Sequence, residues 1–232
     1  HYQGVYQNTA ETYAKDASGN VMYDINGKAI TMRNGSTLVY PGDAKYEDVN
    51  HDGVINEKDI VYLGNANPKL IFGGNLNLKW KDLTLTAVIY GRLGQKVINS
   101  ARMNLESMYG KGNQSTAVLH RWRAEGDVTD IPRALYGMGY NYLGSDRFVE
   151  DATYVRLKTL TLNYSIPKKF LTKLGWGITS CKLFATGYDL FTFTSYSGQD
   201  PEVGMPTANK LVQDNSTTPI SKRYVFGLSV NF

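Results

Sequence analysis

Tyr224-Val225-Phe226-Gly227-Leu228-Ser229-Val230-Asn231-Phe232 closes the chain and decides how the rest is read. Even positions carry Tyr, Phe, Leu, Val and Phe, while from Gly227 the odd positions carry Gly, Ser and Asn. A strand turns successive side chains to opposite faces. One face of this segment is therefore apolar and aromatic, the other small and polar. The sequence stops on Phe232 with no polar tail. A membrane β-barrel uses such a strand directly, with lipid outside and water or a plug inside. The edge strand of a soluble sandwich is the alternative.

Composition agrees with a barrel. Aromatics make up 12% of the 232 residues, Tyr alone contributes 17, Gly 23, and apolar residues reach only 42%. Mean hydropathy is −0.35. No apolar run approaches the ~20 residues of a membrane helix, whereas barrel strands hide their lipid face in alternation. The net charge of +4 is read as scattered Lys and Arg, without the clustered stripe that nucleic acid requires. The single cysteine, Cys181, excludes an internal disulfide framework. The opening His1-Tyr2-Gln3 carries neither Met nor a signal peptide, so a processed, cut or partial chain is expected.

Five segments read as strands: 70–80, 83–90, 153–165, 178–189 and 222–232. The alternation in 153–165 changes phase near Lys158, the mark of a bulge or of the exit from lipid. Weaker strands are read at Gly4–Tyr6 and Leu38–Tyr40. Connections alternate in length: a tight turn at Trp80-Lys81-Asp82, a long loop 91–152, a short link Ile166–Gly177, a long loop 190–221. Short turns on one side and long loops on the other are the plan of outer-membrane barrels. Parity puts the short turns in the periplasm and residues 1–67 and the long loops outside. The expected organisation is an extracellular region 1–67 followed by five barrel strands within 68–232. Trp80, Tyr164 and Trp176 beside the short links suit an interfacial aromatic girdle. Within 91–152, Gln114–Ala124 places Val118, Leu119 and Trp122 at helical spacing. The aromatic loop residues Tyr109, Trp122, Tyr136, Tyr140 and Tyr142 are the candidates for substrate or partner contact.

One motif has specific chemistry. Asp48-Val49-Asn50-His51-Asp52-Gly53-Val54-Ile55-Asn56-Glu57-Lys58-Asp59 has the spacing of a calcium loop. Asp48, Asn50 and Asp52 offer oxygens at positions 1, 3 and 5, Gly53 permits the turn, Val54 offers its carbonyl, Asn56 or a water fills position 9, and Asp59 stands at position 12. Hard oxygen donors two residues apart wrap a hard cation, calcium or alternatively magnesium. The plain alternative is an Asn/Asp/Gly turn. All ligands come from one loop, which points to a structural role. No catalytic residue is read: His1, His51 and His120 lie apart, and CxxC, HExxH, GxSxG and phosphate-loop patterns are absent. The chain is not read as an enzyme.

In combination the motifs resemble the C-terminal part of a SusC/RagA-type TonB-linked outer-membrane transporter. The resemblance rests on Tyr40-Pro41-Gly42-Asp43 before the Asp48–Asn56 stretch, Leu63-Gly64-Asn65-Ala66-Asn67-Pro68-Lys69, Arg121-Trp122-Arg123 and Thr129-Asp130-Ile131-Pro132-Arg133. It continues through Phe148–Lys158, Tyr164-Ser165-Ile166-Pro167, Leu190-Phe191-Thr192-Phe193-Thr194 and Asp200-Pro201-Glu202. Residues 1–39 match least and are read as a variable insertion. The resemblance implies an all-β fold: the last strands of a large antiparallel transmembrane barrel of 22 strands, with the plug and the other strands outside this chain. It also implies import of oligosaccharides or oligopeptides across the outer membrane of a Gram-negative bacterium. The implied partners are a SusD-like surface lipoprotein, TonB acting through a more N-terminal part, and outer-membrane lipid. The alternative is a secreted calcium-binding β-sandwich that binds carbohydrate.

Overall fold

The computed structural model describes residues 1–174, 177–207 and 212–232. The chain divides into two compact units, residues 1–64 with 98–150 and residues 65–97 with 151–232.

The second unit is built on one antiparallel sheet of five strands, Leu70–Trp80, Leu83–Leu93, Tyr154–Ser165, Ser180–Thr194 and Arg223–Asn231, hydrogen-bonded in chain order. Residues paired across a ladder share a face. The register therefore converts alternation in single strands into rows across the sheet. Leu78, Leu85, Leu162, Ala185 and Phe226 form one row, and Leu76, Ala87, Leu160, Gly187 and Tyr224 the next. The opposite face carries the row Asn77, Thr86, Thr161, Thr186 and Val225, where the Thr161 and Thr186 hydroxyls meet at 3.0 Å. Apolar side chains read as one face, among them Phe72, Leu83, Ile89, Leu228 and Val230, do share it. Phe72, Leu83 and Val230 are half-buried and the others exposed, Leu228 at 60% and Phe226 on the same face at 79%, whereas a sandwich would bury them all.

The phase change read near Lys158 is a bulge. In both ladders of the third strand the register shifts between Leu157 and Thr159. On the fourth strand Asp189, at φ 51°, and Leu190 are left between the paired residues Tyr188 and Phe191. Lys158 Nζ lies 3.4 Å from Asp189 Oδ1, so an ion pair joins the two irregularities. The second and fourth strands run on to Leu93 and Thr194, past the limits read at 90 and 189. The phase inverts in the third strand alone: Arg156 lies on the polar face with Thr159 and Thr161, and Leu157 on the apolar face with Ile89. The short link read at Ile166–Gly177 contains a helix, Lys168–Leu174. Trp80 and Tyr164 share the last row beside these links, and Trp176 lies outside the described residues.

In the first unit Tyr2–Val5 pairs with Ala44–Tyr46, and Arg33–Asn34 with Thr37–Leu38. The helix expected over 114–124 is a 3-10 turn, Thr116–His120, because Trp122 gives its N–H to Ile131 O at 2.9 Å and pulls the chain out of the helix. An α-helix falls instead at Ser100–Leu105, capped by Asn99 Oδ1 accepting from Arg102 N at 2.9 Å. The segment read as a variable insertion has an eight-residue period. Ala14, Met22 and Ile30 close a triangle of backbone bonds: Ala14 N to Ile30 O at 2.8 Å, Met22 N to Ala14 O and Ile30 N to Met22 O at 2.9 Å each. Asp16 and Asp24 make the turns, each Oδ1 accepting two amide N–H groups, from Ser18 and Asn20 and from Asn26 and Lys28. Ala14, Met32, Tyr6, Tyr46 and Ile55 form the core of this unit.

Thr161 and Leu162 are neighbours on opposite faces. Leu162→Arg is expected to cost about 2–4 kcal/mol where the apolar row meets hydrocarbon, and Thr161→Arg far less. Heat-modifiable electrophoretic mobility of the full-length protein checks the order, and equal losses would reject the facing.

Candidate functional site

The Asp48–Asp59 loop is closed by its own hydrogen bonds. Asp52 N donates to Asp48 Oδ1 and Asn50 Oδ1, both at 3.2 Å, and Gly53 N donates to Asp48 Oδ2 at 2.8 Å. Oxygens of positions 1 and 3 thus gather at one amide. Gly53 sits at φ +80°, and a Cβ there would lie 2.9 Å from Ala14 Cβ, so the turn needs glycine twice over. The Asn50 amide and the Val54 N–H, hydrogen-bonded to Asp52, hold its carboxyl below the usual carboxylate range. The Val54 carbonyl accepts from Asn56 Nδ2 at 3.1 Å. Asp59 is buried, and its two oxygens accept from Val49 N at 2.9 Å and Asn56 N at 2.8 Å. Asp59 therefore latches the loop shut and, with Asn56, caps the turn Glu57–Asp59. Val54–Ile55 pairs in parallel with Arg33–Asn34, which ties the loop to the eight-residue repeat. Among the described residues no three His, Cys, Asp or Glu side chains form a metal-holding group. The donors that fit a hard cation are mixed: carboxylates of Asp48 and Asp52, the Asn50 amide oxygen and the Val54 carbonyl. A cleft beside the loop is lined by Tyr6, Tyr13, Lys15, Lys45, Asp48 and His51. Lys45 Nζ stands 5.8 Å from the Tyr6 ring centre, and burial pushes the Tyr6 phenol up.

A second centre explains two of the sequence motifs. Asp43 is fully buried and is gripped by Arg133, Nε to Oδ1 at 2.6 Å and Nη2 to Oδ2 at 3.2 Å. Asn141 completes it, donating to Asp43 Oδ1 at 3.3 Å and accepting from Ala44 N at 2.8 Å. Gly42, at φ +88°, lies on the Trp122 ring, where a Cβ would come within 2.3 Å. Pro41-Gly42-Asp43, Arg121-Trp122 and Ile131-Pro132-Arg133 are thus parts of one contact.

A third centre lies in the second unit. Arg156, 4% exposed, donates to Thr192 Oγ1 at 2.8 Å, Glu202 Oε2 at 2.7 Å and Asp200 Oδ1 at 2.5 Å, and Lys158 reaches Glu202 at 2.7 Å. The third strand thereby holds the Asp200-Pro201-Glu202 segment. Burial alone would raise the Asp200 pKa, but the Glu202 and Ile220 amides and Arg156 hold it below the ordinary value.

Of the residues read as contact candidates, Trp122 is corrected: at 8% exposure under Gly42 it is an internal support. Tyr109 and Tyr142 meet edge to face at 5.7 Å, and Tyr136 is exposed. Tyr140 sits by Arg133, its phenol pushed up by burial and by Asp43. Asp43, Arg133, Asn141, Arg156 and Asp200 were not singled out as interacting residues. Their signal was present as charged residues inside the motifs, but their partners stand 90 and 44 residues away.

The fold and these centres define a class: the wall of a large antiparallel transmembrane β-barrel of the TonB-dependent transporter type, with long loops. No family model matches the sequence. TonB-dependent receptor P26 of Formosa agariphila is 32% identical over 197 residues, 82% of this chain and 20% of that protein. The TonB-dependent receptor SusC of Bacteroides thetaiotaomicron is 25% identical over 211 residues, 91% of this chain and 18% of that protein. The RagAB peptide importer in its open-open state superposes with a TM-score of 0.65 at 22% identity, over 100% of this chain and 22% of that chain. The chain spans about a fifth of the length of the curated relatives it matches. It is of the SusC/RagA type of TonB-dependent receptor.

Arg133→Met leaves the buried Asp43 charge unpaired, an expected loss of about 3–5 kcal/mol locally. Arg133→Lys should fall between, because lysine cannot reproduce the two-pronged grip. Hydrogen exchange at Tyr40–Ala44 in the full-length protein reads both, and unchanged protection in Arg133→Met would reject the anchor.

Proposed function

We propose that this chain contributes barrel wall and extracellular loops to an outer-membrane, TonB-dependent importer of oligosaccharides or oligopeptides in a Gram-negative bacterium. The observation that carries this reading is the in-order sheet with one apolar and one polar face. A SusD-like lipoprotein would deliver substrate at the outer mouth, and TonB would act through a more N-terminal part of the protein. The likeness to a peptide importer supports the oligopeptide class, and the likeness to TonB-dependent receptors supports import as such. The role is transport, with the apolar rows facing lipid and the polar rows facing the lumen. Disrupting the gene should abolish growth on the oligosaccharide or oligopeptide while growth on its monomers persists. Undiminished uptake of both polymer classes would overturn the reading.

The same reading assigns a structural calcium, with magnesium as the competitor, to Asp48, Asn50, Asp52, the Val54 carbonyl and Asn56, with Asp59 closing the loop. Bound there, the ion would neutralise the two carboxylates and stiffen the loop. A loop this exposed is expected to bind at about 0.1–1 mM, the range of extracellular modules. Titration calorimetry of the full-length protein should give a calcium heat that the Asp48→Asn, Asp52→Asn double variant lacks. The same heat in both proteins would remove calcium from this loop.

A further inference from the structure

The positive charge of the chain is concentrated where the strands turn short. Lys79, Lys81, Lys168, Lys169, Lys173 and Lys182 fall within residues 79–82 and 165–182, accompanied by one acid, Asp82. Those segments hold six of the 25 basic and one of the 21 acidic residues, leaving 19 basic and 20 acidic elsewhere, so the whole excess of +4 arises at this end. The expectation of scattered charge is corrected: the lysines are distant in sequence and meet only when the strands pair. All six are exposed.

They divide by position. Lys79 and Lys182 stand on the polar face, in rows with Thr84 and Asn163 and with Ser165 and Ser229. The other four belong to the turn and the helix beyond the last apolar row that crosses all five strands, Trp80, Leu83, Tyr164, Leu183 and Leu228. Lys81 Nζ lies 4.8 Å from the Trp80 ring centre. The helix Lys168–Leu174 has no acid in its first turn and places Lys168 and Lys169 there. Phe170 beside them is 59% exposed. An anionic surface with an apolar interior accommodates both the lysines and the ring.

We propose that Lys81, Lys168, Lys169 and Lys173 dock on anionic phospholipid headgroups of the periplasmic leaflet, with Trp80, Tyr164 and Phe170 seated at the roots of the acyl chains. This rests on the reading of the sheet as outer-membrane wall with its short turns at the periplasm. Aromatic side chains mark the membrane interface, and basic residues just beyond it reach the phosphates. Apolar row, aromatic row and lysines follow one another in that order here.

The test uses the full-length protein in phosphatidylethanolamine bilayers with spin-labelled phosphatidylglycerol or phosphatidylcholine, reading the motionally restricted fraction. Phosphatidylglycerol should be preferred at least about fivefold, the contribution of one lysine near an anionic surface. The preference should vanish in 1 M salt, where the screening length is about 3 Å. It should also vanish in the Lys81→Gln, Lys168→Gln, Lys169→Gln, Lys173→Gln variant and persist in Lys79→Gln, Lys182→Gln. Preference retained by the fourfold variant, or lost in the double variant, overturns the proposal. So does its abolition by excess soluble glycerophosphoglycerol, which would mark a site for a free phosphodiester. Insertion with no preference defeats this proposal alone, whereas failure of the wild-type protein to insert defeats the barrel reading and the proposal together.

Discussion

Backbone pairing is the constraint on which the second unit depends. A strand that crosses hydrocarbon has no water to satisfy its N–H and C=O groups, so each must find a neighbouring strand. Once pairing is complete, register ties the faces together: Leu78 is apolar because Leu85, Leu162, Ala185 and Phe226 share its row. A slip of one residue would carry Asn77 and Thr86 into that row. The alternation in each strand is thus a property of the sheet, and a change at one position is felt along the row.

The bulge at Lys158 is where that regularity is interrupted to attach a loop. Below it the polar face carries short side chains, Thr161 and Asn163. Above it Arg156 and Lys158 reach Asp200 and Glu202, and Lys158 also meets Asp189 on the facing irregularity. Replacing such buried pairs by apolar residues is often neutral for stability, while removing one partner is costly. Their value here is therefore positional: a segment between the fourth and fifth strands is held at one place on the sheet.

The strands were legible in the sequence because period two survives in each of them, and Asp48–Asp59 because its spacing is local. Three features were not. Phe191–Thr194 continues the fourth strand in the phase of Leu183–Gly187, but the unpaired Asp189, at φ 51°, and Leu190 interrupt the pattern just before it. Val118, Leu119 and Trp122 have helical spacing, yet Trp122 is claimed by Ile131 and the helix stops short. Ala14, Met22 and Ile30 repeat every eight residues, a period belonging to neither helix nor strand, and its meaning lies in a triangle of backbone bonds.

The motifs that carried the family resemblance are separate in the sequence because each is half of a contact. Asp43 without Arg133 would be a buried, unpaired carboxylate. Arg133 without Asp43 would be one more surface cation. The same holds for Arg156 and Asp200 with Glu202. A buried charge tolerates few substitutions when its partner is fixed, since lysine lacks the planar fork of arginine and glutamate lies one methylene further out. This explains why such short stretches, 90 and 44 residues apart, had recognisable form while the loops between them did not. The loop tyrosines Tyr109 and Tyr136 face no comparable demand. Their exposure leaves them free to vary with whatever the loops contact, so a sequence pattern that identifies the wall says little about the cargo.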